Sequence, residues 1–409
     1  MVCSQPFFVL TPVSYPAYAR TVNKLYVVGG AKLAEMGDFG IPQFISLDLA
    51  IPWSTASPAW TKLANGPTQD IFPAVFSADE QTMFTFHIKG TNSPWLYNVQ
   101  NNTWQESTAK FQNAALNGLG AVADPRTGLV YLAGGFEGAS YDAPYLKYMD
   151  IFDSVTQTIH TVDMPDPAEV FPVRLFYANV WSKHLNSIIY WGGVNKFGEA
   201  VHSSVQNGVT ELATDTMTWS TMATIRTAPE ARDGHCMTAN EDGTKVVIVG
   251  GQLRNGSVVG DLWVLDVPTA TWSQGLSGPI RASAVCTIAG HQVIIWGGRN
   301  SSTMNAPSEM LIYNLKSSTY TKQYSPPAFY KDLQSPPALT RTTAPWATEG
   351  STLTNEDQKR SSVSVGAVVG SALGGLVLIG AAAGFFLATV QAYLGDWEGC
   401  WDGCEEEED

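Results

Sequence analysis

Six histidines, five cysteines and three Asn-x-Ser/Thr sequons are the side chains with which this sequence could do chemistry. The histidines are His87, His160, His184, His202, His235 and His291. A metal centre needs imidazoles, thiolates or carboxylates that converge, and short spacings usually announce one. These six are scattered, with no pair at ligand spacing. His235, in Gly234-His235-Cys236, opens an apolar strand pattern, and a structural role is expected there. The cysteines are Cys3, Cys236, Cys286, Cys400 and Cys404. An odd, sparse set implies no disulfide framework. Cys236 and Cys286 are read as buried unpaired thiols, with a disulfide as the alternative. Cys400 and Cys404 supply too few ligands for structural zinc. They follow a hydrophobic segment, where acylation is the alternative to no role. The sequons, at Asn101, Asn255 and Asn300, are candidate N-glycosylation sites.

No nucleophile elbow, zinc-protease helix, phosphate loop or dinucleotide fingerprint occurs. Arg20, Arg174, Arg232 and Arg281 recur before or within predicted first strands. Structural ion pairs are the expectation for them, over a charged ring at a channel mouth. The formal net charge is −14. Eight acids and no Lys or Arg follow Gln391, so the rest is only mildly acidic. Nucleic-acid binding through a basic patch is excluded.

The elements that would position these groups are strands. Residues 243–272 read GTKVVIVGGQLRNGSVVGDLWVLDVPTATW. An apolar β-branched run ends in Gly250-Gly251. After a polar loop, a second run alternates apolar and polar residues, and a turn leads to Trp272. The pattern recurs. Strands end in Gly29-Gly30, Gly134-Gly135, Gly192-Gly193, Gly250-Gly251 and Gly297-Gly298. The steps between second glycines are 105, 58, 58 and 47 residues. The doubled first step predicts a damaged copy at 83–90. An aromatic residue closes most copies: Trp60, Trp104, Trp219, Trp272 and Tyr320, with Ile159 in the third. Six units result. Their first strands are expected at 17–22, 71–77, 118–123, 175–181, 235–239 and 283–288.

This unit resembles the kelch repeat, which forms one four-stranded blade of a β-propeller. The resemblance covers roughly residues 16–324. It rests on the Gly-Gly pairs, the closing aromatics and an Asp near the end of the third strand (Asp48, Asp153, Asp266; Asn98 and Asn314 as variants). It implies an all-β, six-bladed propeller over 1–324, with seven blades as the alternative. The Gly pairs should take positive φ where strands crowd. Each closing Trp should offer its ring to the neighbouring sheet and its N–H to a carbonyl. An N-terminal strand near Phe7–Leu10 would complete the last blade and close the ring.

Residues 325–360 are rich in Pro, Ser and Thr and read as a disordered stalk. Residues 361–392 read as one transmembrane helix, because 363–390 carries no charge and exceeds the roughly 20 residues a bilayer needs. Gly366, Gly370 and Gly374, then Gly380 and Gly384, could pair two such helices. Residues 393–409 form a short acidic tail. Lys359 and Arg360 precede the span and no basic residue follows it. That bias would leave the ring in the cytosol, and no signal-peptide pattern opens the chain. The whole arrangement nonetheless resembles membrane-anchored kelch proteins of fungi, whose propeller faces outward, and an extracellular ring is the expectation.

The expected function is a non-catalytic, membrane-anchored module that binds a protein or glycan through variable loops, with no cofactor. The alternative follows from the resemblance to the central domain of galactose oxidase: a copper-dependent carbohydrate or alcohol oxidase, or another glycan-acting enzyme, on the same ring.

Overall fold

The structure is a computed structural model, and it describes residues 10–33, 40–68, 71–86, 91–112, 116–137, 148–164, 174–194 and 208–331. The fifth unit shows how the sequence becomes a blade. Cys236–Ala239, Lys245–Leu253, Val258–Asp266 and Thr271–Gln274 form an antiparallel sheet in chain order. A short fifth strand, Arg232–Asp233, adds to Gln252 and Leu253 above it. Five other four-stranded sheets repeat the plan, each from one contiguous stretch: 17–62, 74–106, 120–163, 178–223 and 285–321.

Burial follows position in the blade. Second strands such as Leu129–Ala133, Ser187–Trp191 and Gln292–Trp296 are buried at every residue. A neighbouring sheet covers each of their faces, so apolar side chains are favoured on both. Outer strands are largely exposed, as in Thr158–Asp163, where Ile159 and Val162 are half-buried. The cores lie between sheets: one joins the first and sixth blades through Leu25, Val27, Ile45, Val285, Ile294 and Trp296. Turns between third and outer strands also repeat. Asn98, Asp153, Asp266 and Asn314 accept backbone N–H groups two or three residues on. Four residues past each of them, Asn102, Gln157, Ala270 and Ser318 take positive φ. The recurring Asp or Asn is thus a turn former.

Among the described residues the four- and five-stranded sheets number six, so the seven-bladed alternative is not realised. Damaged copy two still forms Thr82–Thr85, while its Gly90 lies outside the described residues.

The N-terminal strand expected near Phe7–Leu10 lies, but for Leu10, outside the described residues. Among the described residues the sixth sheet consists of Val285–Ala289, Gln292–Trp296, Leu311–Asn314 and Thr319–Thr321. The chain from Leu10 to Ser14 runs over the Gly-Gly end of the ring, where Val13 O accepts from Gly298 N at 2.8 Å. At the opposite end the chain reaches past residue 324. Gln323 and Tyr324 pair with Ser54 and Trp53 of the first blade. Tyr324 stacks on Trp53 with ring centroids 4.6 Å apart, and its hydroxyl donates to Leu49 O at 2.7 Å. A 3-10 turn, Ala328–Lys331, then places Tyr330 between Arg20 and Glu241.

The stalk beyond Lys331, the apolar span with Gly366 to Gly384, and the acidic tail lie outside the described residues. Among the described residues no helix is long and apolar enough to cross a membrane.

Candidate binding face

The end of the ring that carries the Gly-Gly pairs is built around a collar. Tyr15, Ile71, Gly118, Phe176, Gly234 and Ser283 each precede an inner strand, one per blade, and each has φ between 52° and 69°. Backbone N–H groups of Tyr15, Ile71, Phe176, Gly234 and Ser283 donate to the collar carbonyl of the preceding blade at 2.6–3.1 Å. For Tyr15 that blade is the sixth, so the collar spans the junction between the chain's two ends. The collar also explains why inner strands start later than the apolar pattern predicts: Ala74–Phe76 rather than 71–77, and Ala178–Ser182 rather than 175–181. Beneath it a cavity of about 300 Å³ follows the inner strands of all six blades.

All ten paired glycines have positive φ. Gly250 shows the need: a Cβ there would lie 2.0 Å from Arg281 O of the next blade. Arg232 and Arg281 lock these turns. Arg232 Nη1 donates to Gly250 O at 3.1 Å, and Arg281 Nη1 donates to Gly297 O at 2.7 Å. Arg232 has the expected ion pair, with Asp261 Oδ2 at 3.0 Å, and Trp263 Nε1 donates to the same oxygen at 2.7 Å. Arg281 adds the carbonyls of Pro307 and Glu309. Buried Arg174 donates to Thr210 Oγ1 at 2.9 Å. Arg20 does not belong with these three. It closes the first inner strand at the far end of the ring, where it donates to Ile288 O, Val22 O and Tyr330 Oη, with Glu241 4.0 Å away.

A polar cluster escaped the sequence reading. Arg299, directly after Gly297-Gly298, is buried and donates to Tyr15 Oη at 2.8 Å and to Gln252 Oε1 at 2.5 Å. Its guanidinium lies over the Tyr15 ring, 5.6 Å from the centroid. Burial pushes the nearby Asp233 carboxyl up to about 6, against the pull of Arg299. The available signal was Arg299 itself, a charged residue directly after the last glycine pair. Next to Asp233, His235 is 6% exposed and packs edge-on against Trp191, with centroids 5.0 Å apart. Burial, and then Arg232, hold its imidazole down to about 3, so it stays neutral. That is the structural role expected for it.

The closing aromatics seal the outer sheets. Trp272 is fully buried, whereas Trp60, Trp104, Trp219 and Tyr320 are half-buried. Trp104 Nε1 donates to Ala64 O at 3.1 Å. The buried indole N–H groups of Trp60 and Trp272 find no acceptor among the described residues, so packing is their main contribution.

Cys236 and Cys286 form a disulfide, with Cα atoms 5.9 Å apart, which corrects the reading of two free thiols. The reason lies in register. Cys236 stands two residues after its collar residue and Cys286 three after its own. Side chains alternate along a strand, so the two face each other across one blade interface. The Tyr18 hydroxyl lies 3.0 Å from Cys236 Sγ.

The remaining histidines do not converge. His160 is exposed on an outer strand, while His184 and His291 lie at turns on the far end of the ring. His87 and His202 lie outside the described residues. Among the described residues no three His, Cys, Asp or Glu side chains group to hold a metal. Of the sequons, Asn101 and Asn255 are exposed and Asn300 is half-buried.

Six sheets, a shared collar and glycine-ended second strands define a β-propeller. A family model, the KLHDC2/KLHL20/DRC7 Kelch-repeats domain, matches residues 176–337. Acyl-CoA-binding domain-containing protein 6 of Oryza sativa subsp. japonica is 32% identical over 174 residues, covering 41% of this chain and 26% of that protein. The chain thus spans about a quarter of that relative's length. Among solved structures, that of YjhT aligns with a TM-score of 0.59 at 16% identity, over 76% of this chain and 97% of the other, a likeness of fold. Residues 176–337 thus match a kelch-repeat family model, and the six blades share the β-propeller fold.

Proposed function

We propose that this protein is a non-catalytic, membrane-tethered interaction module whose collar face binds a protein or glycan partner. The observation that carries this reading is the placement of the chain's exit. Residues 323–331 leave the ring at the end opposite the collar. The collar lies at the other end of the ring, together with the starts of the loops after the Gly-Gly pairs. Loops on a rigid scaffold are where binding is usually built, and kelch rings generally act by binding proteins. The Cys236–Cys286 disulfide supports an outward orientation, because such bonds persist in oxidising compartments. The apolar run at 363–390 supports the tether.

The test compares two charge reversals at exposed sites on opposite ends. Arg254→Glu alters the fifth-blade hairpin on the collar face, and Lys316→Glu alters a turn at the far end. Against any partner identified by cross-linking in intact cells, Arg254→Glu should weaken binding several-fold and Lys316→Glu should leave it unchanged. The reverse order would move the site to the other face. Protease accessibility of the ring in intact cells reads the orientation.

A further inference from the structure

We propose that Asn255 is an acceptor for an N-linked glycan and that Asn300, despite its sequon, is not; the proposal rests on the outward orientation given above. Asn255-Gly256-Ser257 forms the tip of the hairpin made by Lys245–Leu253 and Val258–Asp266. All three residues are exposed. The tip is built, since Leu253 N donates to Ser257 O and Gly256 N donates to Leu253 O, both at 2.9 Å. Ser257 N also donates to Asn255 Oδ1 at 2.9 Å. That bond occupies the carboxamide oxygen and leaves Nδ2 without a protein partner among the described residues. It also polarises the amide, so the nitrogen gives up a proton more readily. The tip is uncrowded, because the nearest atom to a Cβ placed on Gly256 is Gln252 Nε2 at 3.8 Å.

Asn300 differs in each respect. It is half-buried, and its Oδ1 is sealed from solvent without a donor. Its backbone N–H is tied to Met304 O at 3.1 Å, beside buried Arg299. A sugar on this carboxamide would have to displace that packing. Asn101 is exposed at a turn on the opposite end of the ring, so exposure alone does not single out Asn255. The bond from Ser257 to its carboxamide does.

The chemistry requires a lipid-pyrophosphate-linked oligosaccharide as donor. Asn255 Nδ2 forms a bond to C1 of the first sugar. The bond from C1 to the pyrophosphate oxygen breaks, the lipid pyrophosphate leaves with the electron pair, and one amide proton passes to a base of the transferase.

The test expresses the full chain in a eukaryotic host behind a cleavable secretion signal, which enforces lumenal delivery. Folded monomer is isolated, and glycans are removed with peptide-N-glycosidase in heavy-oxygen water. Each occupied Asn becomes a mass-marked Asp. Asn255 should be marked in most of the folded molecules and Asn300 should be unmarked, and Asn255→Gln should remove one glycan's mass from the folded protein. An unmarked Asn255, or a marked Asn300 in folded monomer, overturns the proposal. A parallel culture with the native N-terminus reads orientation separately. Glycan lost only in that culture would refute the outward orientation and leave the assignment of Asn255 standing.

Discussion

Arg232 and Arg281 hold equivalent places in the fifth and sixth blades, yet their partners differ. Each guanidinium ties down the first carbonyl of its glycine pair, but only Arg232 adds a carboxylate. A sequence pattern can show that an Arg recurs; its partner depends on the side chains that the third strand happens to present. Asp233 and His235, one residue apart from collar Gly234, carry the sharpest consequence at this scale. Burial raises Asp233 from 3.8 to about 6. Between those values the folded protein holds a proton that the unfolded chain has released, so this group makes stability fall as pH rises. Burial lowers His235 from 6.5 to about 3. Between those values the unfolded chain holds a proton that the folded protein refuses, so this group makes stability fall as pH falls. From about pH 4 to about pH 6 the two slopes oppose each other and nearly cancel. Asp233→Asn removes only one of them. On acidification across that window the variant should lose about 1.4 kcal/mol per pH unit more than the wild type. Urea unfolding at several pH values reads the difference, and parallel profiles would refute the account.

The blades were legible in the sequence because most carry the same punctuation: a glycine pair, a turn-forming Asp or Asn and a closing aromatic. Strands such as Lys24–Val28 and Ser187–Trp191 fall where the pattern places them. The collar was not legible. Four of its six members, Tyr15, Ile71, Phe176 and Ser283, are ordinary residues held at positive φ by tertiary hydrogen bonds, and their types carry no such signal. The closing clasp was hidden for a different reason: a two-residue pairing is too short to show a period. Its energetic weight can be measured. Tyr324 is 1% exposed and contributes both a stacked ring and a hydroxyl. Tyr324→Phe keeps the ring and leaves Leu49 O without its donor, which should cost about 1 kcal/mol. Tyr324→Ala also empties the site against Trp53 and should cost about 3–5 kcal/mol. Hydrogen exchange should then quicken in Ala17–Arg20 and Phe44–Asp48 before it does in the fourth blade. Equal losses in the two variants would mean that the clasp closes the ring through its hydroxyl alone.

At the scale of the whole molecule, the described ends of the chain meet through the Val13 contact, the collar and the two-residue pairing of Gln323–Tyr324 with Trp53–Ser54. The junctions between blades rest on packing, the collar and a covalent link. Cys236–Cys286 bridges the inner strands of the fifth and sixth blades, 50 residues apart in sequence. The spacing was visible in the sequence, but whether the two sulfurs faced each other depended on their register against collar residues that no pattern announced. A link over a loop of that length removes about 4 kcal/mol of chain entropy from the unfolded state, if native strain is small. Both cysteines are 2% exposed, so a reductant can reach the bond only when the ring opens. In native buffer, dithiothreitol followed by a thiol label should therefore leave Cys236 and Cys286 unlabelled for hours, and both should label once urea is added. The Cys236→Ala/Cys286→Ala protein should still fold, with a urea midpoint lowered by the equivalent of about 2–5 kcal/mol. Rapid labelling in native buffer would show that the fifth and sixth blades part readily. The collar and the clasp, not the disulfide, would then hold the ring shut.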